Sequence, residues 1–223
     1  MIIQVGLVGL GKIGAIYDLK NNNLMSHLKT ILNDVRFSLK FAYDPDIKNC
    51  TLVKKEYNLV NVFDNIDELK ETKPCIDLLV IASPTKVHLD SMELFIQFTK
   101  PDLILCEKPL AENMDNSNKI KLICEQNNIS IVSNFMRRSL PVFKDLKNQL
   151  QKNSKDRHDV IVKYSGCFKN NGSHFVDLMY FFFGAPIKLS YFSSEGEADS
   201  IYKVRAVVEY KNATCSFIPL FSN

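Results

Sequence analysis

The sequence predicts an α/β fold in which a parallel sheet covered by helices on both faces is followed by a shorter α+β part with a mainly antiparallel sheet. Three observations carry this expectation. Short apolar runs alternate with helix-patterned segments up to Phe135, an order that calls for parallel strands with helices on both sides. The run CIDLLVIAS (75–83), closed by Pro84, is the clearest central strand. After Phe135 the alternation stops, and turn signals begin to separate strand-like runs.

Each element follows from its local pattern. Residues 2–8 (IIQVGLV) form a buried strand, and Gly9 to Gly14 the turn after it. A helix begins at about Lys12, broken or extended by the polar patch KNNNLMS before LKTILNDV. FSLKFAYD (37–44) is the second strand, CTLVKKEYN a short helix, NVF (61–63) a third strand and IDELK a helical turn. Beyond the central strand, TKVHLDSMELFIQFTK is an amphipathic helix and LILCEK (103–108) a strand ending at Pro109. MDNSNKIKLICEQNN is a helix and ISIVSNF (129–135) a strand. The second part starts with RRSLPVFKDLKNQLQKN, a helix entered through Pro141. A strand, DVIVKYSG (159–166), and a helix, GSHFVDLMYFFFG, follow, the helix closed by Gly184. IKLSYFSSEG and IYKVRAVVEYKNATCSFIPL read as antiparallel strands, with turns at Glu195-Gly196-Glu197 and Lys211-Asn212. The expected domains are 1–135 and 136–223, the second a thin layer of three strands and two helices with an open edge.

Bulk properties exclude several function classes. A chain of 223 residues lies between one large domain and two small ones. It can bury roughly 70% of its unfolded surface. Basic and acidic residues nearly balance, 28 against 25, and no basic block suggests a nucleic-acid groove. The cysteines, Cys50, Cys75, Cys106, Cys124, Cys167 and Cys215, never pair as CxxC, and most lie in or beside apolar runs, which favours a reducing compartment. The first apolar stretch has no basic lead and is interrupted by Lys12, so neither a signal peptide nor a membrane span is expected. The expected location is the cytoplasm. The absence of HExxH, a cysteine cluster or carboxylates at ligand spacing argues against a metal site. GxSxG and P-loop signatures are also missing.

The first motif with chemistry is Gly9-Leu10-Gly11-Lys12-Ile13-Gly14, a G-x-G-x-x-G between a strand and a helix. Gly9 permits the tight turn, Gly11 lets backbone approach a pyrophosphate, and Gly14 lets helix and strand pack closely. The N–H groups of the helix start, at Lys12 and Ile13, suit phosphate oxygens. Asp44 supplies the acid at the end of the second strand, 30 residues beyond Gly14, the excess over the usual spacing being taken up by an insertion at residues 20–23. A carboxylate there accepts ribose hydroxyls and repels a 2′-phosphate, and Lys48 is the nearest cation that follows, so NAD is favoured over NADP. Asp46 competes for this role, although capping the helix after Pro45 is its plainer one. Ser83-Pro84-Thr85 ends the central strand and leaves a surface for a flat ring. His88 is either near the cofactor or structural.

Glu107-Lys108-Pro109-Leu110 lies at the carboxyl end of a parallel strand, where such sheets bind ligands. Lys108 there can donate to a hydroxyl oxygen and stabilise charge as hydride leaves, or it is a solvated lysine at a strand end. His174 follows Asn170-Asn171-Gly172-Ser173 at a helix start that Ser173 or Asn171 can cap. Asp177, one turn on, is placed to orient its imidazole. A histidine is the natural proton carrier at neutral pH. The alternative is a histidine over an aromatic core of Phe175, Met179, Phe182 and Phe183.

Taken in order, LVGLGKIG, the acid in AYDPD, DLLVIASPTKVH, EKPL, SNFMRR and NNGSHFVDLMYFFFGAP resemble the Gfo/Idh/MocA oxidoreductases across essentially the whole chain. EKP followed some 65 residues later by the G-x-H-x-x-D helix is the specific pairing. The family includes glucose–fructose oxidoreductase, inositol dehydrogenases and sugar-nucleotide dehydrogenases of surface-polysaccharide pathways. The resemblance implies an N-terminal Rossmann domain holding NAD or NADP, and a second domain whose open sheet packs on another subunit. It implies that Lys108 binds substrate and acts in catalysis, that a cis bond precedes Pro109, and that His174 takes the hydroxyl proton. Asn134 and Arg138 then bind substrate, with Asn170 and Asn171 beside His174. Thr85 and His88 line the nicotinamide side, and Glu107 joins the cofactor residues.

Two departures stand out. Asn170 replaces the aspartate that many members carry four residues before the histidine, which removes a charge and a proton carrier. The chain is also shorter than is usual, stopping about halfway through the second domain. The expected activity is hydride transfer between nicotinamide and a secondary alcohol or ketone of a sugar or sugar nucleotide. The alternative is an NAD-binding or regulatory protein of the same fold that turns nothing over.

Overall fold

The computed structural model describes residues 1–152, 156–195 and 203–220. The chain divides into two compact units, Met1–Asn134 and Phe135–Asn223.

The first unit is built on a six-stranded sheet. Strand β1 (Ile3–Val8) lies between β2 (Phe37–Tyr43) and β4 (Leu78–Ile81). With β3 (Val62–Phe63), β5 (Leu103–Cys106) and β6 (Ser130–Ser133), the order is β3-β2-β1-β4-β5-β6, and every neighbouring pair is parallel. The strand order reverses at β1, which opens a crevice at the carboxyl ends of β1, β2 and β4.

Both faces of this sheet are buried, because successive side chains of a strand point to opposite sides. Val80 joins Leu28 and Ile31 of α1 (His27–Asn33) and Val53 of α2 (Ile47–Tyr57) on one side. Leu79 and Ile81 join Met92 and Phe95 of α4 (His88–Thr99) and Ile120 of α5 (Met114–Gln126) in the other cluster. Leu69 of α3 (Ile66–Glu71) belongs to that second cluster. Gly6 in β1 makes room for the fully buried Phe41, since a Cβ on Gly6 would stand 2.4 Å from the Phe41 ring.

The helix expected from Lys12 is one π-helical turn, Lys12–Ile16. The polar patch breaks it, and helix resumes at α1, where the Ser26 hydroxyl accepts the Lys29 N–H at 3.4 Å. Asp18 explains the break. Its fully buried carboxylate accepts the N–H groups of Met25 at 2.6 Å and Ser26 at 2.9 Å, folding the loop back onto itself. Burial raises the Asp18 pKa, but hydrogen bonds from Ser26 and Met25 and the charge of Lys29 outweigh it, and the net shift is downward. Asp46 caps α2 through the Lys48 N–H at 2.9 Å.

The second unit holds β7 (His158–Tyr164), β8 (Lys188–Glu195), β9 (Lys203–Tyr210) and β10 (Ala213–Pro219), in the order β7-β10-β9-β8. Two pairings are antiparallel, and β7 joins β10 in parallel. The turn at Lys211-Asn212 divides the long last run into two strands, so the described sheet has four strands where three were expected. Gly196 and Glu197 of the other expected turn lie outside the described residues. The Tyr164 hydroxyl ties β7 to β9, accepting the Val204 N–H at 2.6 Å and donating to its carbonyl at 2.8 Å.

Helices α6 (Pro141–Lys152) and α7 (Ser173–Phe183) complete this unit. Neither Ser173 nor Asn171 caps α7. A π-helical turn, Phe168–Gly172, runs directly into it, so the chain enters already wound. The Ser173 hydroxyl instead donates to the Asn170 carbonyl at 3.2 Å, and the Asn171 amide donates to the Ser165 carbonyl at 2.9 Å.

Candidate active site

The crevice of the first unit is a cavity of about 710 Å³, within the range of small-molecule sites. Gly9, Gly11, Lys12 and Ile13 form one wall, Tyr43, Asp44 and Pro45 a second, and Ala82, Ser83 and Pro84 a third. Leu94 and Phe95 of α4 add apolar surface.

The glycine turn fits its expected geometry. Gly9 has φ +93°, and a Cβ there would meet the Ser83 nitrogen at 2.5 Å. A Cβ on Gly14 would fall 1.9 Å from the Gly9 carbonyl oxygen, so this glycine sits behind the turn. A Cβ on Gly11 would meet nothing within 4 Å, which leaves its backbone bare to the cavity. The Ser83 hydroxyl, buried at the same edge, finds no hydrogen-bond partner among the described residues. An open backbone turn beside an unsatisfied hydroxyl and a carboxylate suits a dinucleotide with polar phosphates and sugars.

Asp44 is buried at the rim of this cavity, and its carboxylate is held by the chain around it. One oxygen accepts the Leu10 N–H at 2.7 Å and the Asn49 amide at 3.3 Å, and the other accepts the Asp46 N–H at 2.8 Å. The acid thus braces the glycine turn as well as facing the cavity. Four lone-pair sites leave it capacity for a ribose hydroxyl.

His88 is not on the cavity wall. It is 1% exposed, with Nε2 2.8 Å from the Ser83 carbonyl and Nδ1 3.3 Å from the Cys106 sulfur. The Leu110 carbonyl stands closer still to Nδ1, at 3.1 Å, so both ring nitrogens face backbone oxygens. Burial pushes the Cys106 thiol pKa far up, which keeps the thiol protonated. His88 therefore joins the end of β4 to β5 from inside, and the expectation that it lines the nicotinamide side is corrected. Thr85 opens the short turn Thr85–Val87 just beyond the wall.

Glu107, Lys108 and Asn134 come together at the ends of β5 and β6. The Lys108–Pro109 peptide is cis. Glu107 Oε1 accepts from Asn134 Nδ2 at 2.7 Å, while its other oxygen meets the Lys108 N–H at 3.3 Å. His27 Nε2 stands 2.8 Å from the same Oε1. Burial raises the Glu107 pKa, but the hydrogen bonds from His27 and Asn134, the His27 charge and the Lys108 N–H bring it below its ordinary value. His27 was missed in the sequence, where it is merely the first residue of a helix, 80 positions from its partner.

In the second unit, the half-buried His174 ring meets Phe135 edge-on, with centroids 5.9 Å apart. Asp177 lies buried one turn further along α7. Its carboxylate forms a two-pronged pair with Arg138, Nε donating to Oδ2 at 2.9 Å and Nη2 to Oδ1. Arg138 thus balances a buried carboxylate while its own side chain stays 41% exposed. Asn170 and Asn171 are exposed in the π-helical turn before α7. Lys108 belongs to the first unit and His174 to the second. Among the described residues no group of three or more His, Cys, Asp or Glu could hold a metal ion, and no helix is long and apolar enough to cross a membrane.

Comparison with known proteins places these observations. Residues 3–135 match the Gfo/Idh/MocA family model, described as an oxidoreductase family with an NAD-binding Rossmann fold. Scyllo-inositol 2-dehydrogenase (NADP(+)) IolU of Bacillus subtilis is 28% identical over 116 residues, 52% of this chain and 34% of that enzyme. Myo-inositol 2-dehydrogenase of Thermotoga maritima is 24% identical over 150 residues, 67% of this chain and 41% of the enzyme. The matched stretch is thus under half the length of either relative. The WlbA dehydrogenase of Bordetella pertussis, solved with NADH and UDP-GlcNAcA, shares the fold at a TM-score of 0.79 and 18% identity, covering 100% of this chain and 72% of that one.

Proposed function

The chain belongs to the Gfo/Idh/MocA family, and from that premise we propose that it transfers hydride between NAD and a secondary alcohol or ketone of a sugar or sugar nucleotide. The cavity framed by the glycine turn and Asp44 is the observation that carries this reading. The relatives do not agree on the cofactor, since one is named for NADP(+) and another was solved with NADH. Asp44 favours NAD, because a carboxylate at the ribose repels a 2′-phosphate. The inositols and the UDP-sugar in the relatives' names support a polyhydroxylated substrate.

NAD, when bound, supplies the hydride chemistry. The side chains supply the rest. Gly11, Lys12 and Ile13 bind phosphate, Asp44 accepts ribose hydroxyls, and Ser83 offers its hydroxyl at the opposite wall. Lys108 donates to the reacting oxygen and stabilises its partial charge. His174 takes the hydroxyl proton. Asn170 and Asn171 offer amides to sugar hydroxyls, and Asn170 does so without the charge an aspartate would bring. Exposed apolar groups on β8, such as Tyr191 and Phe192, support packing of the second-unit sheet on another copy.

The test is Lys108→Ala, assayed with NAD and a panel of scyllo-inositol, myo-inositol and UDP-GlcNAcA. The expected result is a loss of NADH formation of about 100-fold or more with NAD affinity nearly unchanged. Equal turnover would remove Lys108 from the chemistry. NAD binding by the unaltered protein with no turnover of any alcohol would instead support the binding or regulatory role.

A further inference from the structure

We propose that His27 is a positioning residue, holding the Glu107 carboxylate and through it the strand end that carries Lys108. The inference rests on the proposed role of Lys108.

Glu107 leaves β5 with its backbone already tied into the sheet, its N–H donating to the Ile81 carbonyl at 2.8 Å. Its side chain is nearly enclosed, at 12% exposure, and that of His27 at 14%. A carboxylate so placed needs donors on both oxygens. Asn134 and the Lys108 N–H come from the sheet's own edge, at 2.7 and 3.3 Å. His27 reaches in from α1, at 2.8 Å, with the shortest sequence link broken by 80 residues. It is therefore the one of these three clamps that comes from outside the sheet.

The backbone that carries His27 is itself braced. Asp18 accepts the N–H groups of Met25 and Ser26, and the Ser26 hydroxyl accepts the Lys29 N–H, so the first residue of α1 leaves a braced backbone. The braced loop after the glycine turn thus leads through the backbone to His27, and hydrogen bonds lead from His27 through Glu107 to the peptide of Lys108. Without the imidazole, Glu107 keeps the Asn134 amide at 2.7 Å and the longer Lys108 N–H contact at 3.3 Å, and loses the one donor that comes from the helix side. A misplacement of about 1 Å at a reacting group costs on the order of 100-fold in rate.

His27→Ala is expected to lower kcat by about 10-fold or more, with the Kd for NAD, measured by fluorescence quenching, within about 2-fold. His27→Gln, whose amide can donate near the Nε2 position, should recover most of that loss. A second readout needs no substrate. In long-range ¹⁵N spectra of the NAD-free protein, Glu107→Gln should shift the His27 ring nitrogens. Unchanged kcat in His27→Ala, or equal losses in the Ala and Gln variants, would overturn the positioning role while leaving Lys108 chemistry intact. Ring signals indifferent to Glu107→Gln would overturn the contact. An unaltered protein that turns over no alcohol of the panel would remove the Lys108 reading and the positioning role that rests on it, whereas a failure of the positioning role alone leaves turnover by the unaltered protein and its loss in Lys108→Ala intact.

Discussion

The two units bury their residues differently. In the first, both faces of a parallel sheet are covered, and Phe41, Leu79, Ile81 and Ile104 are fully enclosed. The second has one apolar cluster beneath α7, while Leu189, Tyr191 and Phe192 of β8 are each more than half exposed. The buried polar groups differ in the same way. Asp44, His88 and Glu107 each have polar partners from more than one segment, the two carboxylates accepting N–H groups and the imidazole facing carbonyl oxygens. Asp177 depends on one arginine, itself 41% exposed. The first unit is thus rigid where a cofactor would need a preformed cradle, and the second leaves more of its apolar surface to be covered.

Three substitutions would break or sharpen this contrast. Phe41→Ala should cost the most, about 3–5 kcal/mol in urea unfolding, because the ring stacks on Phe95 and fills the space left by Gly6. A loss under about 1 kcal/mol would mean the first unit is not the tightly packed one. Arg138→Ala comes next, at about 2 kcal/mol, since it strands the buried Asp177 charge while the guanidinium's own exposure moderates the loss. Adding Asp177→Asn should recover much of it, and strictly additive losses in that double-mutant cycle would refute the pairing. Phe192→Ala should change stability by no more than about 0.5 kcal/mol in dilute protein. A larger loss that grows with protein concentration would show that a second copy covers β8.

Much of the first unit was legible in the sequence. The alternation of apolar runs and helical segments implied the parallel sheet, and Gly9 and Gly14 sit where the strand–turn–helix pattern puts them. Asp46 as a cap was equally legible, because capping acts over two or three residues. The second unit was harder to read. Its β7 pairs in parallel with β10, a choice that no local pattern expresses. The helix start at Ser173 looked like a capped N-terminus and is the continuation of a π-helical turn. The spacing paired Asp177 with His174 because three residues along a helix are neighbours. Arg138, 39 residues earlier, is its two-pronged partner, a geometry a histidine cannot match.

The sequence by itself determined the fold class, the nucleotide-type turn and the order in which Asp44, Lys108 and His174 occur. These depend on periodicity, on glycine and proline stereochemistry, and on motif order, all of which are written locally. Only the tertiary structure decided what the polar side chains do. It turned His88 inward, gave Arg138 to Asp177, and brought His27 across 80 residues to Glu107. The reason is physical. A buried charge must be met by whichever donor the strand order and helix packing bring within hydrogen-bond reach, and that reach has no signature in the spacing of residues along the chain.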